Sequence, residues 1–227
     1  MFETIVNLCG GLAIFLLGLH FLKEAIQHFA GERLRLVIQK FTSNRLFGLF
    51  WGAMFTVVLQ SSTAMTIMLV GLTQSGLISL VQAMPILLGA DIGTTITVQL
   101  ISFRLDRFAL LLVAIGFGLF FFGKRYRNKF AGQFILGFGL IFYGIRVLII
   151  SSEPLNNSQL FALILRYFGE NQIVCLLFST VITALIHSSA ATLGIVISLA
   201  ISGNMTLEVA IPFIYGANIG TCFTALL

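Results

Sequence analysis

Gln60-Ser61-Ser62-Thr63 is followed, 29 residues further on, by Gly89-Ala90-Asp91-Ile92-Gly93-Thr94-Thr95. The same pair of motifs recurs 127 positions later in the chain, as His187-Ser188-Ser189 and Gly216-Ala217-Asn218-Ile219-Gly220-Thr221. The alignment at this offset needs no gap, and 15 of the 38 residue pairs that begin with Gln60 and end with Thr97 are identical. This agreement is far above chance even for an apolar chain. The sequence therefore contains an internal repeat.

The composition is typical of a protein that crosses a membrane several times. Of the 227 residues, 58% are hydrophobic and 9% are charged, whereas soluble domains average about 25% charged residues. Eleven of the 13 basic residues lie in clusters at the ends of apolar segments, and Arg146 and Arg166 occur singly. The clusters indicate membrane topology and argue against a nucleic-acid partner. We expect an all-α, polytopic protein of the lipid bilayer.

The first repeat is predicted to cover residues 1–123. Residues 23–43 mix charged and apolar side chains at helical spacing, which is typical of a helix on the membrane surface. Within 46–77, two apolar arms of 14 residues each surround Gln60-Ser61-Ser62-Thr63. At about 1.5 Å per residue an arm is too short to cross a core of about 30 Å, so a re-entrant hairpin is predicted. Three apolar runs are predicted to span the membrane: 4–22, 80–103 and 108–123.

The second repeat is predicted to cover residues 124–227. It contains spans at 130–150 and 205–227 and a re-entrant hairpin at 173–201. It has no counterpart of the span at 108–123, so we expect it to lack its last helix. A partner chain or a homo-oligomer is one way to complete the bundle.

The number of spans predicts that the two repeats are inverted. Three spans separate equivalent points, and a re-entrant hairpin does not change sides, so the second repeat enters from the opposite face. With the N-terminus outside, the cytoplasmic loops at 23–45 and 124–129 carry nine Lys or Arg, against three in the outer segments at 104–107 and 151–171. The positive-inside rule agrees with this orientation. We expect a multi-pass protein of the plasma (cell inner) membrane.

Two small-residue or aromatic patterns predict packing. Gly48-Leu49-Phe50-Trp51-Gly52 matches a helix-contact motif, so this hairpin arm is expected to pack closely on another helix. The Phe-rich residues 117–122 are expected to face lipid.

Polar residues at membrane depth are candidates for function, because they are costly to keep there. The motifs at 89–95 and 216–221 are predicted to break their helices and to restart them at Gly-Thr, and each hairpin tip is predicted to start a helix at a serine. In an inverted repeat these four helix N-termini meet near the midplane, where they would bind an anion without Lys or Arg. Freed carbonyls and Ser, Thr and Gln oxygens suit a hard cation such as sodium.

Two titratable residues leave alternatives open. Asp91 is either a cation ligand or a cap of the restarted helix, and its repeat partner Asn218 is neutral. His187 is a hydrogen-bonded structural residue, a substrate contact or a protonation switch. The His187-Ser188 pair lacks an oriented acid partner and a nucleophile-elbow pattern, so we expect no enzyme.

The paired motifs resemble the repeat signatures of the type II sodium–phosphate cotransporter family, in a bacterial-type relative. The resemblance covers essentially the whole chain, although His187 stands where the family pattern has Gln. It implies sodium-coupled movement of inorganic phosphate, with the Gln-Ser-Ser segments contributing to the substrate and sodium sites. Sodium is then the coupling ion, and no cofactor is expected.

The repeat, the polar motifs and the family resemblance together predict which residues bind the substrate and which bind sodium. The substrate set is Ser61, Ser62, Thr63, Ser188 and Ser189, with helix-start contacts from Thr94 and Thr221. The sodium set is Gln60, Asp91, Thr95 and Asn218. The alternatives are a non-transporting regulatory or assembly subunit of the same fold, and a transporter that uses protons or carries another oxyanion.

Overall fold

The computed structural model describes residues 2–30, 44–102 and 106–224. These residues form ten α-helices and two short 3-10 helices with no β-strand among them, so the predicted all-α class is confirmed. The α-helices are α1 (Phe2–Ala30), α2 (Arg45–Leu59), α3 (Ser62–Gln74), α4 (Leu80–Ser102), α5 (Ala109–Phe122), α6 (Tyr126–Ser152), α7 (Gln159–Glu170), α8 (Gln172–Ile186), α9 (Ser189–Ile201) and α10 (Leu207–Thr224). The 3-10 helices are Asp106–Phe108 and Glu153–Asn157.

The chain packs as two compact units. The larger unit contains residues 1–22 and 101–224, and the smaller unit contains residues 23–100. The units differ from the predicted repeats at 1–123 and 124–227, because repeats are defined by equivalent sequence and units by packing. Residues 2–22 of α1 and the whole of α5, from the first repeat, belong to the larger unit together with the helices of the second.

The first helix is longer than its apolar run. We predicted a span that ends at Leu22, but α1 continues through Lys23 to Ala30. Lys, Glu and Gln are good helix formers, so a change from apolar to charged side chains does not by itself end a helix. Most of the predicted surface helix, residues 31–43, lies outside the described residues.

Two of the described helices are long and apolar enough to cross a membrane, at Phe2–Gln27 and Tyr126–Leu155. A third span results if α7 and α8, which meet at 111°, are counted as one broken element. Helix α5, at 14 residues, covers about 21 Å and falls short of a bilayer core of about 30 Å. The predicted inversion rests on counting this segment as a span, so it stays a prediction.

The sequence repeat is matched by repeated local structure. The bounds of α2 and α3 reappear in α8 and α9 after the same shift of 127 residues, and α4 and α10 begin at equivalent leucines. The turns after α3 and α9 each contain a glycine at positive φ, Gly76 at 72° and Gly203 at 77°. Both repeats therefore fold the same short pattern of helix, turn, helix, turn, helix.

In the smaller unit, glycines hold α2 and α4 together. A Cβ on Gly52 would collide with the backbone of Ile86, and one on Gly89 would collide with the carbonyl of Leu49. A Cβ on Gly93 would lie 2.5 Å from the carbonyl of Ala53. The contacts advance in the same direction along both helices, so α2 and α4 run parallel at close approach. The predicted close packing of the Gly48–Gly52 motif is confirmed.

The larger unit repeats this arrangement in its second-repeat helices. A Cβ on Gly216 would collide with the carbonyl of Leu176, and one on Gly220 would lie 2.6 Å from the carbonyl of Thr180. Helices α8 and α10 therefore run parallel as α2 and α4 do. The Ser179 hydroxyl adds a hydrogen bond across this interface, because it donates to the carbonyl of Phe213 at 2.6 Å.

Helix α6 is the centre of the remaining packing in the larger unit. Its Gly137 and Gly144 lie against the backbone of α1, and its Gly132 and Gly139 lie against the backbone of α5. The order of these contacts makes α6 antiparallel to both helices. Phe15 of α1 is fully buried, and its ring lies against Gly194 of α9.

We predict that Gly89→Ala destabilises the protein and that Gly71→Ala does not. The added methyl at Gly89 meets the carbonyl of Leu49 and the amide of Ala53, whereas nothing lies within 4 Å of a Cβ at Gly71. Overpacking of this kind costs about 1–3 kcal/mol, while Gly to Ala in an open helix position gains about 0.5–1 kcal/mol. Thermal unfolding of both variants in detergent measures the difference. Equal midpoints would contradict the close approach of α2 and α4.

Candidate functional site

The first tip, residues 60–63, joins α2 to α3, and only Gln60 and Ser61 lie between the two helices. Gln60 caps the end of α2 in the left-handed conformation, at φ 51° and ψ 32°. Its amide donates to the carbonyl of Thr56 at 2.7 Å, and its side-chain Nε2 donates to the carbonyl of Val57 at 2.7 Å. Ser61 is extended, and α3 begins at Ser62.

The second tip, residues 187–190, has the same backbone. His187 caps the end of α8 at φ 56° and ψ 26°, and its amide donates to the carbonyl of Thr183 at 2.9 Å. Among the described non-glycine residues, Gln60 and His187 are the two with positive φ. A side chain in this region costs free energy of order 1–2 kcal/mol, and such residues cluster at functional sites. The pair of strained turns is therefore the first structural mark of a site.

The serines of both tips cap the helices that follow, as predicted. The amide of Ala64 donates to Ser61 Oγ at 3.2 Å, and the amide of Ala191 donates to Ser188 Oγ at 3.2 Å. Each capping oxygen acts as an acceptor here, so the hydroxyl proton is left to point at another acceptor. Next to the caps, Ser62 and Thr63 are half-buried and Ser189 is buried.

The predicted breaks at 89–95 and 216–221 are wrong. Helices α4 and α10 run without interruption through both motifs, so no helix restarts at Thr94 or Thr221 and neither residue offers a helix N-terminus. The physical reason is packing, because the glycines of these motifs are the positions where α4 and α10 touch α2 and α8. A helix can continue through a glycine when the backbone of a neighbouring helix packs into the space that a side chain would occupy.

The threonines of these motifs turn their hydroxyl protons toward their own helices. Thr94 Oγ1 donates to the carbonyl of Ala90 at 3.1 Å, and Thr95 Oγ1 donates to the carbonyl of Ile92 at 2.7 Å. Thr221 Oγ1 donates to the carbonyl of Ala217 at 2.9 Å. A hydroxyl that gives its proton to a carbonyl presents lone pairs to its surroundings. These oxygens suit a cation better than a phosphate oxygen.

Asp91 and Asn218 occupy equivalent exposed positions on α4 and α10. Each lies two residues after a contact glycine, which is about 200° around the helix. Asp91 therefore lies on the face of α4 opposite α2, and it shares that face with Thr95, one turn later. The same reasoning places Asn218 on the face of α10 opposite α8.

The sequence did not point to Thr56, which lies one turn before Gln60. Its Oγ1 is buried and has no hydrogen-bond partner among the described residues. The equivalent Thr183 Oγ1 lies 2.9 Å from Thr192 Oγ1, but the first repeat has Met65 at the position of Thr192. An unpaired buried hydroxyl costs about 1–3 kcal/mol unless something binds it. The signal in the sequence was the Thr-to-Met difference between the aligned repeats.

The predicted site residues divide between the two units. Gln60, Ser61, Ser62, Thr63 and the α4 residues Asp91, Thr94 and Thr95 belong to the smaller unit. His187, Ser188, Ser189, Asn218 and Thr221 belong to the larger unit. That the two tips meet is a prediction from the repeat and stays one.

Both tips lie in stretches of sequence without basic residues. Residues 46–103 and 167–227 contain no Lys or Arg. An anion bound at either tip would therefore be held by hydroxyl protons and by the positive end of a helix. Amide and hydroxyl oxygens at the same turns are ligands for a small hard cation.

Comparisons with known proteins show what the chain is similar to. A model of the family described as Na+/Pi-cotransporter matches residues 14–149 and 155–227. YqeW of Bacillus subtilis (strain 168), which is uncharacterized, is 30% identical over 94% of this chain and 69% of its own length. The putative inorganic phosphate export protein YjbB of Escherichia coli (strain K12) is 25% identical over 99% of this chain, which spans 41% of YjbB.

A human relative matches part of the chain. The sodium-dependent phosphate transport protein 2B of Homo sapiens is 34% identical over 100 residues, which are 43% of this chain and 14% of that protein. No solved structure matches the chain.

We predict opposite effects on stability for two equivalent threonines. Thr183→Val removes one half of the Thr183–Thr192 hydrogen bond in a buried site, so it should destabilise the protein by about 1 kcal/mol or more. Thr56→Val removes an unpaired hydroxyl, so in the absence of ligands it should be neutral or stabilising. Thermal unfolding in sodium-free buffer compares the two variants. A destabilised Thr56→Val with an unchanged Thr183→Val would contradict the assignment of partners.

Proposed function

Because the chain belongs to the Na+/Pi-cotransporter family, we propose that it binds inorganic phosphate and moves it across the membrane together with sodium. The chain spans less than half the length of YjbB, so the activity of the whole protein is part of this proposal. The orientation is proposed as well: the repeats are inverted in the plasma membrane, with the N-terminus outside.

The observation that carries the proposal is the capped turn that both repeats share. Ser61 and Ser188 each accept a hydrogen bond from an amide of the helix they begin. Their protons can then be donated to phosphate oxygens, while the first turn of α3 or α9 contributes the positive end of its dipole. With no Lys or Arg in either stretch, a phosphate entering the site is held without an ion pair and can be released again.

Phosphate and sodium are assigned to different oxygens by the direction of hydrogen bonds. Hydroxyls that accept from amides, at Ser61 and Ser188, serve the anion, and Ser62, Thr63 and Ser189 lie next to them. Hydroxyls that donate to carbonyls serve the cation. We therefore move Thr94 and Thr221 from the phosphate set to the sodium set.

The proposed sodium ligands differ between the two repeats. In the smaller unit, Asp91 and Thr95 share one face of α4 and supply a carboxylate and hydroxyl lone pairs. The buried Thr56 hydroxyl, close to Gln60, is a further oxygen for a cation. The larger unit offers Asn218 and Thr221, which are neutral. The difference in charge between Asp91 and Asn218 suggests unequal affinity of the two halves for sodium.

Substitution of the tip serines tests the phosphate set. We expect Ser62→Ala and Ser189→Ala each to weaken phosphate binding by at least fivefold, because each removes a hydroxyl at the start of a helix. The matched controls are Ser75→Ala and Ser202→Ala, at the other ends of the same helices, where the hydroxyls donate to the carbonyls of Leu72 and Leu199. Binding of labelled phosphate to the purified protein is the measurement. Unchanged affinity in both tip variants would remove the site assignment.

Uptake into vesicles tests the function. We expect reconstituted protein to move labelled phosphate when a sodium gradient is applied and to stop when potassium replaces sodium. Sodium gradients applied inward and outward give the direction of phosphate movement. Export is one of the two directions to test, because the relative YjbB is named as a putative phosphate export protein. Movement driven by a proton gradient alone would favour proton coupling, and His187 at the second tip is the residue to substitute in that case. Absence of both binding and movement would favour a non-transporting regulatory or assembly subunit.

A further inference from the structure

The turn between α5 and α6, together with the first turn of α6, carries a concentration of positive charge, and neither of these two helices contains Asp or Glu. Residues 124–129 include Lys124, Arg125, Arg127 and Lys129, and all four are exposed. The chain contains no Asp or Glu between Asp106 and Glu153, and those two residues lie at the opposite end of the antiparallel helix pair. The separation along α5 alone, 14 residues, is about 21 Å. The four charges are therefore not neutralised by their own helix pair.

A cavity opens directly at this turn. Its volume is about 450 Å³, which lies within the range of about 300–1,000 Å³ that is usual for small-molecule sites. One part of its wall is apolar, from Gly118, Leu119 and Phe122, and another part is polar, from Lys124, Arg125 and Asn128. A Cβ on Gly118 would meet nothing within 4 Å, so the apolar part has room for a chain of methylene groups.

The beginning of α6 adds to the positive potential at the cavity. Arg125 is the N-cap of this helix of 27 residues, and its side chain makes no capping hydrogen bond. A long helix presents its positive end at this point. The cap and the neighbouring Lys124 both line the cavity, so the helix end and two cationic side chains act on the same space.

The surroundings of the turn are those of a membrane interface. Phe121 and Phe122 are 67% and 75% exposed, and Tyr126 is 70% exposed. Exposed phenylalanines followed by a tyrosine and basic residues are typical of the boundary between acyl chains and headgroups. The turn therefore has an apolar side for lipid tails and a cationic side for headgroups.

We propose that this cavity binds an anionic phospholipid. The headgroup phosphate lies between Lys124, Arg125 and the start of α6, and Asn128 donates a hydrogen bond to it. An acyl chain lies along Gly118, Leu119 and Phe122. A zwitterionic lipid fits less well, because its choline or ethanolamine cation would be placed among four like charges. The proposal rests on the membrane location of the helices and is independent of phosphate transport.

Native mass spectrometry of the full chain in detergent tests the proposal. The purified protein is mixed with phosphatidylglycerol or with phosphatidylcholine at equal concentration, and the lipid retained by each protein molecule is counted. We expect retention of phosphatidylglycerol to exceed that of phosphatidylcholine by at least fivefold. Equal retention of the two lipids would overturn the proposal.

Two double variants separate a defined site from general attraction to negative charge. K124Q/R125Q removes the cations that line the cavity, and R127Q/K129Q removes the same number of charges from the same turn outside its lining. We expect the first to reduce phosphatidylglycerol retention at least fivefold and the second to reduce it less than twofold. Equal losses in both variants would overturn the site.

A third variant keeps all charges and fills the cavity. Gly118→Leu places a side chain in the apolar part, so phosphatidylglycerol retention should fall although the turn remains cationic. Retention equal to that of the unaltered chain would contradict the acyl-chain contact.

Competition with inorganic phosphate separates a lipid site from a site for the free anion. If millimolar phosphate displaces phosphatidylglycerol, the cavity is a site for the free anion and the lipid proposal fails.

Discussion

Close packing of glycine against backbone is the interaction on which the rest of this structure depends. Gly89 and Gly93 of α4 contact the backbone of α2, and Gly216 and Gly220 of α10 contact the backbone of α8. In a membrane there is little hydrophobic drive between helices, so their association relies on van der Waals contact at close approach. This contact fixes the helix that leads into each tip, and it therefore fixes where the strained turn and the serine cap lie.

The two repeats share a backbone but differ in polar chemistry. Gln60, Met65 and Asp91 in the first copy correspond to His187, Thr192 and Asn218 in the second. In the second copy the buried Thr183 is satisfied by Thr192, whereas in the first Thr56 is left without a partner in the described part of the chain. The first copy therefore carries a carboxylate where the second carries an amide, and it contains a buried hydroxyl without a described partner where the second contains a paired one.

Much of the fold and part of the site were predictable from local signals. Short apolar arms on each side of a serine pair predicted two helices with a cap between them, because capping depends on neighbouring residues alone. The breaks at 89–95 and 216–221 were predicted wrongly, since glycine and polar residues in an apolar run indicate either an interruption or a helix contact. The span predicted at residues 4–22 lies within the longer helix α1, because hydropathy indicates the environment of a helix and not where the helix ends. Thr56 was missed because its only signal, Met65 at the position of Thr192, has a meaning only once the structure shows that Thr183 and Thr192 are hydrogen-bonded.

The sequence by itself determined the all-helical membrane class, the duplication, the family and the serine-capped tips, because composition, periodicity and capping act over a few residues or over the whole chain. Only the tertiary structure showed that the glycine spacing shared by the two repeats serves contact between helices. A glycine that bends a helix and a glycine that admits a neighbouring backbone look alike in a sequence, since both are the absence of a side chain. The partner that fills the vacant space, here the carbonyls of α2 and α8, is supplied by residues some forty positions away.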